Sequence, residues 1–182
     1  MLASRLVAIA LFAALLSVTP FHAALAATAP DLGTADSFAV LGGTAVTLTA
    51  SAVAGDVGSP VAVTLTGSAV TGTVYPAGDP IAVEAYNDFL AAYDALAAEP
   101  CDVNLTGQPL AGQSITPGVY CFDAAVTETG GTLTLDGSST DTWIFKIGTL
   151  GTGALTGTNF SVVMSSGETC NNNVFWWTAE AA

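Results

Sequence analysis

Past Ala26, the chain's polar chemistry rests on fifteen carboxylates, a single cation, Lys146, and three cysteines; Arg5 and His22 both lie before that point. General acid–base catalysis draws most often on histidine, and none lies past His22. Close carboxylate pairs hydrolyse glycosides, but the acids here are scattered, with no Asp/Glu cluster. Cys101, Cys121 and Cys170 include no CxxC spacing, and without histidine they do not make a zinc site. The run Asp136-Gly137-Ser138-Ser139-Thr140-Asp141 puts oxygen ligands in a glycine turn. It lacks the ligand alternation and distal Glu of a calcium loop and reads as a plain turn. These residue types point away from an enzyme, a cofactor or a metal centre. The net charge of −13 leaves no basic footprint for nucleic acid and disfavours anionic membranes.

Threonine is the polar residue with a rhythm. It recurs two apart at Thr47 and Thr49, Thr64 and Thr66, Thr71 and Thr73, Thr127 and Thr129, and Thr132 and Thr134. Residues two apart on a strand share a face. Val, Leu and Ile alternate with them, and Gly or Ser clusters separate the runs, which predicts short strands. The candidates are 38–41, 45–49, 61–66, 103–106, 118–122, 125–129, 132–135, 143–147, 160–164 and 174–177.

One segment has a different period. Asp79-Pro80 is a helix start, since Asp caps free N–H groups and Pro suits the first position. Ala82, Tyr86, Phe89, Tyr93 and Leu96 then fall on one helical face, and Pro100 stops the helix near Glu99. A helix over about 80–99 spans roughly 28 Å, enough to lie along about six stacked strands. Its aromatic stripe reads as core packing.

The second half carries a loose repeat. Gly118-Val119-Tyr120-Cys121-Phe122, Trp143-Ile144-Phe145-Lys146-Ile147 and Val174-Phe175-Trp176-Trp177 are similar aromatic strands, unequally spaced and so without a strict period. Each of the first two is followed by a Thr/Gly/Ala strand and an apolar one. Three short strands per repeat suggest a three-faced solenoid with irregular coils, with a β-sandwich as the rival.

The start of the chain is an export signal by pattern. Arg5 precedes an apolar run over 6–18, and Ala24-Leu25-Ala26 makes a small-residue cleavage site. Residues 1–26 are expected to be a signal peptide, residues 27–182 a single secreted domain that is not in the membrane. A secreted setting permits disulfides, and three cysteines leave at least one thiol unpaired or paired between chains.

Specific runs resemble a known family. These are Leu32-Gly33-Thr34-Ala35-Asp36-Ser37-Phe38-Ala39-Val40-Leu41-Gly42-Gly43, Val53-Ala54-Gly55-Asp56-Val57-Gly58, and Ala85-Tyr86-Asn87-Asp88 within the helix. Leu105-Thr106-Gly107-Gln108, Leu110-Ala111-Gly112 and Ile115-Thr116-Pro117-Gly118-Val119-Tyr120-Cys121-Phe122 follow. Trp143-Ile144-Phe145-Lys146-Ile147-Gly148, Cys170 and Asn173-Val174-Phe175-Trp176 complete the set. Together they resemble the secreted microbial ice-binding, or antifreeze, proteins.

The resemblance implies a mainly β fold: a right-handed-type, irregular three-faced β-solenoid with one long α-helix alongside. It implies ice as the partner, through a flat Thr/Ser/Ala-rich β-face on the strand after each aromatic strand. Carried over, that face comprises Thr47, Thr49, Thr127, Thr129, Thr149 and Thr152. A disulfide is expected between Cys101 and Cys121, in the segment that caps the solenoid in the family, with Cys170 a buried free thiol. Family members continue past the Val-Phe-Trp strand with further strands, so this chain reads as a truncated member. Its apolar Val174-Phe175-Trp176-Trp177 edge is expected to favour self-association. An adhesion or matrix module on the same solenoid is the alternative function.

Overall fold

The computed structural model describes residues 27–167 and 173–180. The expected leader, 1–26, and Cys170 lie outside them. After a short 3-10 turn at Gly33–Ser37, seven strands precede the helix: β1 (Phe38–Leu41), β2 (Val46–Thr49), β3 (Ala52–Val53), β4 (Asp56–Gly58), β5 (Val63–Thr66), β6 (Ala69–Val70) and β7 (Val74–Tyr75). Helix α1 (Pro80–Ala98) follows. Then come β8 (Val103–Asn104), β9 (Ser114–Ile115), β10 (Gly118–Phe122), β11 (Val126–Thr129), β12 (Thr132–Leu135), β13 (Trp143–Ile147), β14 (Leu155–Thr158), β15 (Ser161–Met164) and β16 (Val174–Thr178).

Each strand pairing among the described residues is parallel. A sandwich of hairpins needs antiparallel neighbours, so the solenoid holds. The first face carries β1-β4-β7 and β8-β10-β13-β16, the second β2-β5 and β11-β14, and the third β3-β6 and β9-β12-β15. The coils form two stacks, one on each side of α1 in sequence. The three aromatic strands lie side by side, Gly118 opposite Trp143 and Trp143 opposite Val174.

The first face is buried on both sides where the chain is richest in aromatics. Every residue of β10 and β13 is buried. One side, with Tyr120, Phe122, Trp143, Phe145 and Ile147, fills the solenoid interior. The other side, with Val119, Cys121 and Ile144, packs against Leu96 of α1. That explains why these strands read as continuous apolar runs rather than alternating ones. Inside, the rings of Tyr120, Phe145 and Trp176 stack rung on rung, 5.8 and 4.1 Å apart.

Helix α1 is held at both ends. The Asp79 carboxylate accepts from the Ile81 N–H at 2.9 Å, and Pro80 opens the first turn. At the far end, Lys146 Nζ donates to the carbonyls of Ala97 and Glu99, each at 2.7 Å. A cation there meets the negative end of the helix dipole. Burial holds this lysine's pKa below its ordinary value.

The elements missed from sequence are β3, β4, β6, β7, β9 and β14. The first five have two or three residues, too few for alternation to show.

Candidate functional site

The second face carries the threonines. On β2 and β5 the register sets Thr47 opposite Thr64 and Thr49 opposite Thr66. On β11 and β14 it sets Thr127 opposite Thr156 and Thr129 opposite Thr158. All eight are exposed, while Val46 and Val126, just before the first threonine of their strands, and Glu128, between Thr127 and Thr129, are buried. Strand geometry then fixes each array: about 4.8 Å between paired strands and about 6.6 Å along a strand.

The two ladders are built alike. Val46 N–H donates to Ala62 O and Ala50 N–H to Thr66 O; Val126 N–H donates to Ala154 O and Gly130 N–H to Thr158 O. Each strand ends in a left-handed residue: Ala50, Gly67, Gly130 or Asn159. That conformation turns the chain off the face just after its second threonine, and it favours glycine and asparagine. The shared pattern is an apolar residue, Thr, any residue, Thr, then the left-handed corner. Sequence reasoning missed Thr156 and Thr158 because Gly157 interrupts the apolar alternation, yet Leu155-Thr156-Gly157-Thr158-Asn159 fits the pattern.

Thr149 and Thr152 stand elsewhere. The strand after β13 is β14, and both residues precede it in the corner. Thr149 Oγ1 donates to Asp123 Oδ1 at 2.8 Å. This bond, with that from Asn104, holds the Asp123 carboxyl below the usual range. Thr152 is exposed in the loop before β14.

Support for the second ladder comes from Glu128. Its buried carboxylate accepts from the backbone N–H of Leu110 at 2.7 Å and of Ala111 at 3.3 Å. It thereby ties the loop beside β11 to the strand that carries Thr127 and Thr129. Cys101 and Cys121 are joined, with Cα atoms 5.8 Å apart, at the capping end of the same stack. Among the described residues no group of His, Cys, Asp or Glu could hold a metal, and no helix is long and apolar enough to cross a membrane.

The Ice-binding-like family profile matches residues 39–182. The chain belongs to this family. An ice-binding protein of Nostoc sp. (strain HG1) is 36% identical over 171 residues, covering 88% of this chain and 61% of that protein. One from Flavobacterium frigoris (strain PS1) is 33% identical, covering 83% and 59%. The chain thus spans about three-fifths of the length of these curated relatives. The crystal structure of an ice-binding protein from the Antarctic ascomycete Antarctomyces psychrotrophicus superposes with a TM-score of 0.73 at 31% identity, over 85% of this chain and 76% of that one.

Proposed function

We propose that this protein adsorbs to ice through the outward threonine ladders of the second face and inhibits ice growth or recrystallisation. The supporting observation is the pair of in-register two-by-two arrays, Thr47/Thr49/Thr64/Thr66 and Thr127/Thr129/Thr156/Thr158. Threonine is stiff at χ1 and offers a methyl beside a hydroxyl. A rigid array of such groups holds water at fixed spacing, and bridging water is enthalpically close to a direct hydrogen bond. The protein works by adsorption rather than turnover. Its site of action is extracellular, after removal of residues 1–26, and N-terminal sequencing of exported protein should begin at or near Ala27.

Substitution separates the ladder from the corner. Thr127→Tyr or Thr129→Tyr puts bulk on the array without touching the core, so thermal hysteresis or recrystallisation inhibition is lost while the circular dichroism spectrum is unchanged. Thr149→Tyr and Thr152→Tyr, in the corner, retain activity. The reverse pattern moves the ice face to that corner. A folded parent with no effect on ice growth would leave the adhesion module as the function.

A further inference from the structure

Two elements cross from one coil stack to the other, and a single carboxylate ties them together. The first is helix α1. Near its start Ala82 lies against Gly58 of β4, and the Tyr86 ring occupies the space that a side chain on Gly43, just past β1, would need. Near its end Tyr93 packs on Trp177 of β16 at 5.2 Å, and its hydroxyl donates to Thr178 O at 2.8 Å.

The second is a strap over residues 27–37. Ala27 packs on the cluster of Leu96, Val119, Cys121 and Ile144, which belongs to α1, β10 and β13. Leu32 shares a hollow with Phe89 and Tyr93 of α1 and Phe175 of β16. The Gly33–Ser37 turn then runs straight into β1. Strap and helix thus bridge the stacks in opposite directions. No described sheet holds strands of both stacks, so among the described residues no strand pairing does the same.

The two bridges meet in mid-span. The Thr34 N–H donates to Asp88 Oδ2 at 2.8 Å. Asp88 lies on α1 between Tyr86, which reaches the first stack, and Tyr93, which reaches the second. The bond satisfies a free N–H at the start of the 3-10 turn, whose N-cap residue, Leu32, offers no side-chain acceptor. Asp31 takes the neighbouring Gly33 N–H at 2.9 Å. The fit around the Asp88 carboxylate is close. Gly33 is left-handed, with φ +49°, and a Cβ on it would collide with that carboxylate.

We propose that Asp88 is a positioning residue for ice adsorption: by clasping the strap to the helix it locks the two threonine arrays into one rigid site. The inference rests on the reading of those arrays as the ice face. Each array alone holds four threonines. Two arrays on one rigid body engage together, because the second contact forms at high effective concentration and with little further cost of ordering. Arrays that swing independently lose that gain, however well each is folded. Asp88 touches no ice and acts only through the orientation of the stacks.

The test reads orientation and activity separately in the full chain. In a dilute aligned medium, residual dipolar couplings from the amides of β2, β5, β11 and β14 should fit one alignment tensor in the parent. Asp88→Ala should need two tensors, with amide protection inside each ladder unchanged. Its thermal hysteresis should fall at least about twofold. Gly33→Ala, which drives the strap off without altering charge, should do the same. Asp88→Asn keeps an oxygen for the Thr34 N–H and should restore both readouts. Glu84→Ala removes an exposed acid from the same helix and should leave both at parental values. One tensor with full hysteresis in Asp88→Ala and Gly33→Ala overturns the proposal, as do two tensors in the parent. Two tensors with full hysteresis, or lost hysteresis with one tensor, also overturn it, since orientation then does not set activity. Unfolding of both variants makes the clasp an element of stability alone and overturns the positioning role. A parent that leaves ice growth unaltered overturns the ice reading and the positioning role with it, and the tensors tell that failure from a failure of the clasp.

Discussion

The two coil stacks present the same threonine geometry on different supports. In the stack before α1 the coils are short and equal, setting Thr47 opposite Thr64 and aligning Val40, Val57 and Val74 along the first face. Val57 is fully buried, but Val74 and Leu65 at the stack's end are 38% and 37% exposed. In the stack after α1 the coils are longer and unequal, pairing Gly118 with Trp143, Thr127 with Thr156 and Trp143 with Val174. There the aligned residues are Tyr120, Phe145 and Trp176, and a disulfide caps the end. A flat outward face therefore does not dictate its core. Outward register comes from the parallel ladder and the left-handed corners, while stability comes from what fills the interior.

The largest effect expected of this contrast is in the core. Phe145 is fully buried between Tyr120 and Trp176. Phe145→Ala should cost about 3–5 kcal/mol of unfolding free energy, the range for a buried aromatic. Leu65→Ala, at the open end of the other stack, should cost about 1 kcal/mol. Urea denaturation of the two variants checks the ratio, and equal losses would mean the stacks share one core.

Next in size is the disulfide. Cys101–Cys121 closes a loop with a sequence separation of 20, for which chain entropy gives about 3 kcal/mol. Replacing both with serine should lower stability by about that much. Amide exchange should quicken in β8 and β10, which pair beside the bridge, and not in β2 or β5. Uniform acceleration along the chain would show that the two stacks unfold together.

The ladders themselves should respond in function rather than stability. Thr47→Tyr and Thr127→Tyr sit at matching positions on exposed strands, so each should change stability by less than about 0.5 kcal/mol. Their effects on ice growth weigh the two ladders. The second is tied down by Glu128, so Thr127→Tyr should remove the larger share of activity.

How far the sequence reveals this arrangement depends on run length. The helix is legible almost to the residue, because Asp79-Pro80 and Pro100 bracket its whole length from Pro80 to Ala98. The five-residue strands β10, β13 and β16 are legible from their apolar runs, and β12 from its Thr-Leu alternation. Two-residue strands such as β6 are not, since their pairing is set by neighbours a full coil away. Thr47, Thr49, Thr127 and Thr129 lie on the ladders, but Thr149 and Thr152 were carried one element too early. The long corner between β13 and β14 has no counterpart in the shorter coils, and only pairing reveals where the next strand resumes. Lys146 was legible as the chain's single late cation, yet its role as an anchor for the end of α1 depends on the helix lying across β13.

The smallest expected effect is on alkaline stability, and it comes from the two side chains that pin α1 to the stack after it. Burial depresses the Lys146 pKa below 10.5. Between the folded value and 10.5 the unfolded chain binds the extra proton, so this residue's contribution to stability rises with pH. Tyr93 is opposite in sign: burial, and then the charge of Asp94, raises its pKa above 10.0. Its contribution is complete below 10.0 and is lost as pH climbs through the folded value. Lys146→Met should therefore flatten the rise that precedes pH 10.5, and Tyr93→Phe the fall above pH 10.0. Unfolding free energies measured against pH, each variant minus parent, isolate the two slopes from other thiols and phenols. Slopes of the same sign for both residues would contradict the buried placement of one of them. Neither substitution lies in the stack before α1, so the threonine ladder of β2 and β5 should keep its amide protection throughout.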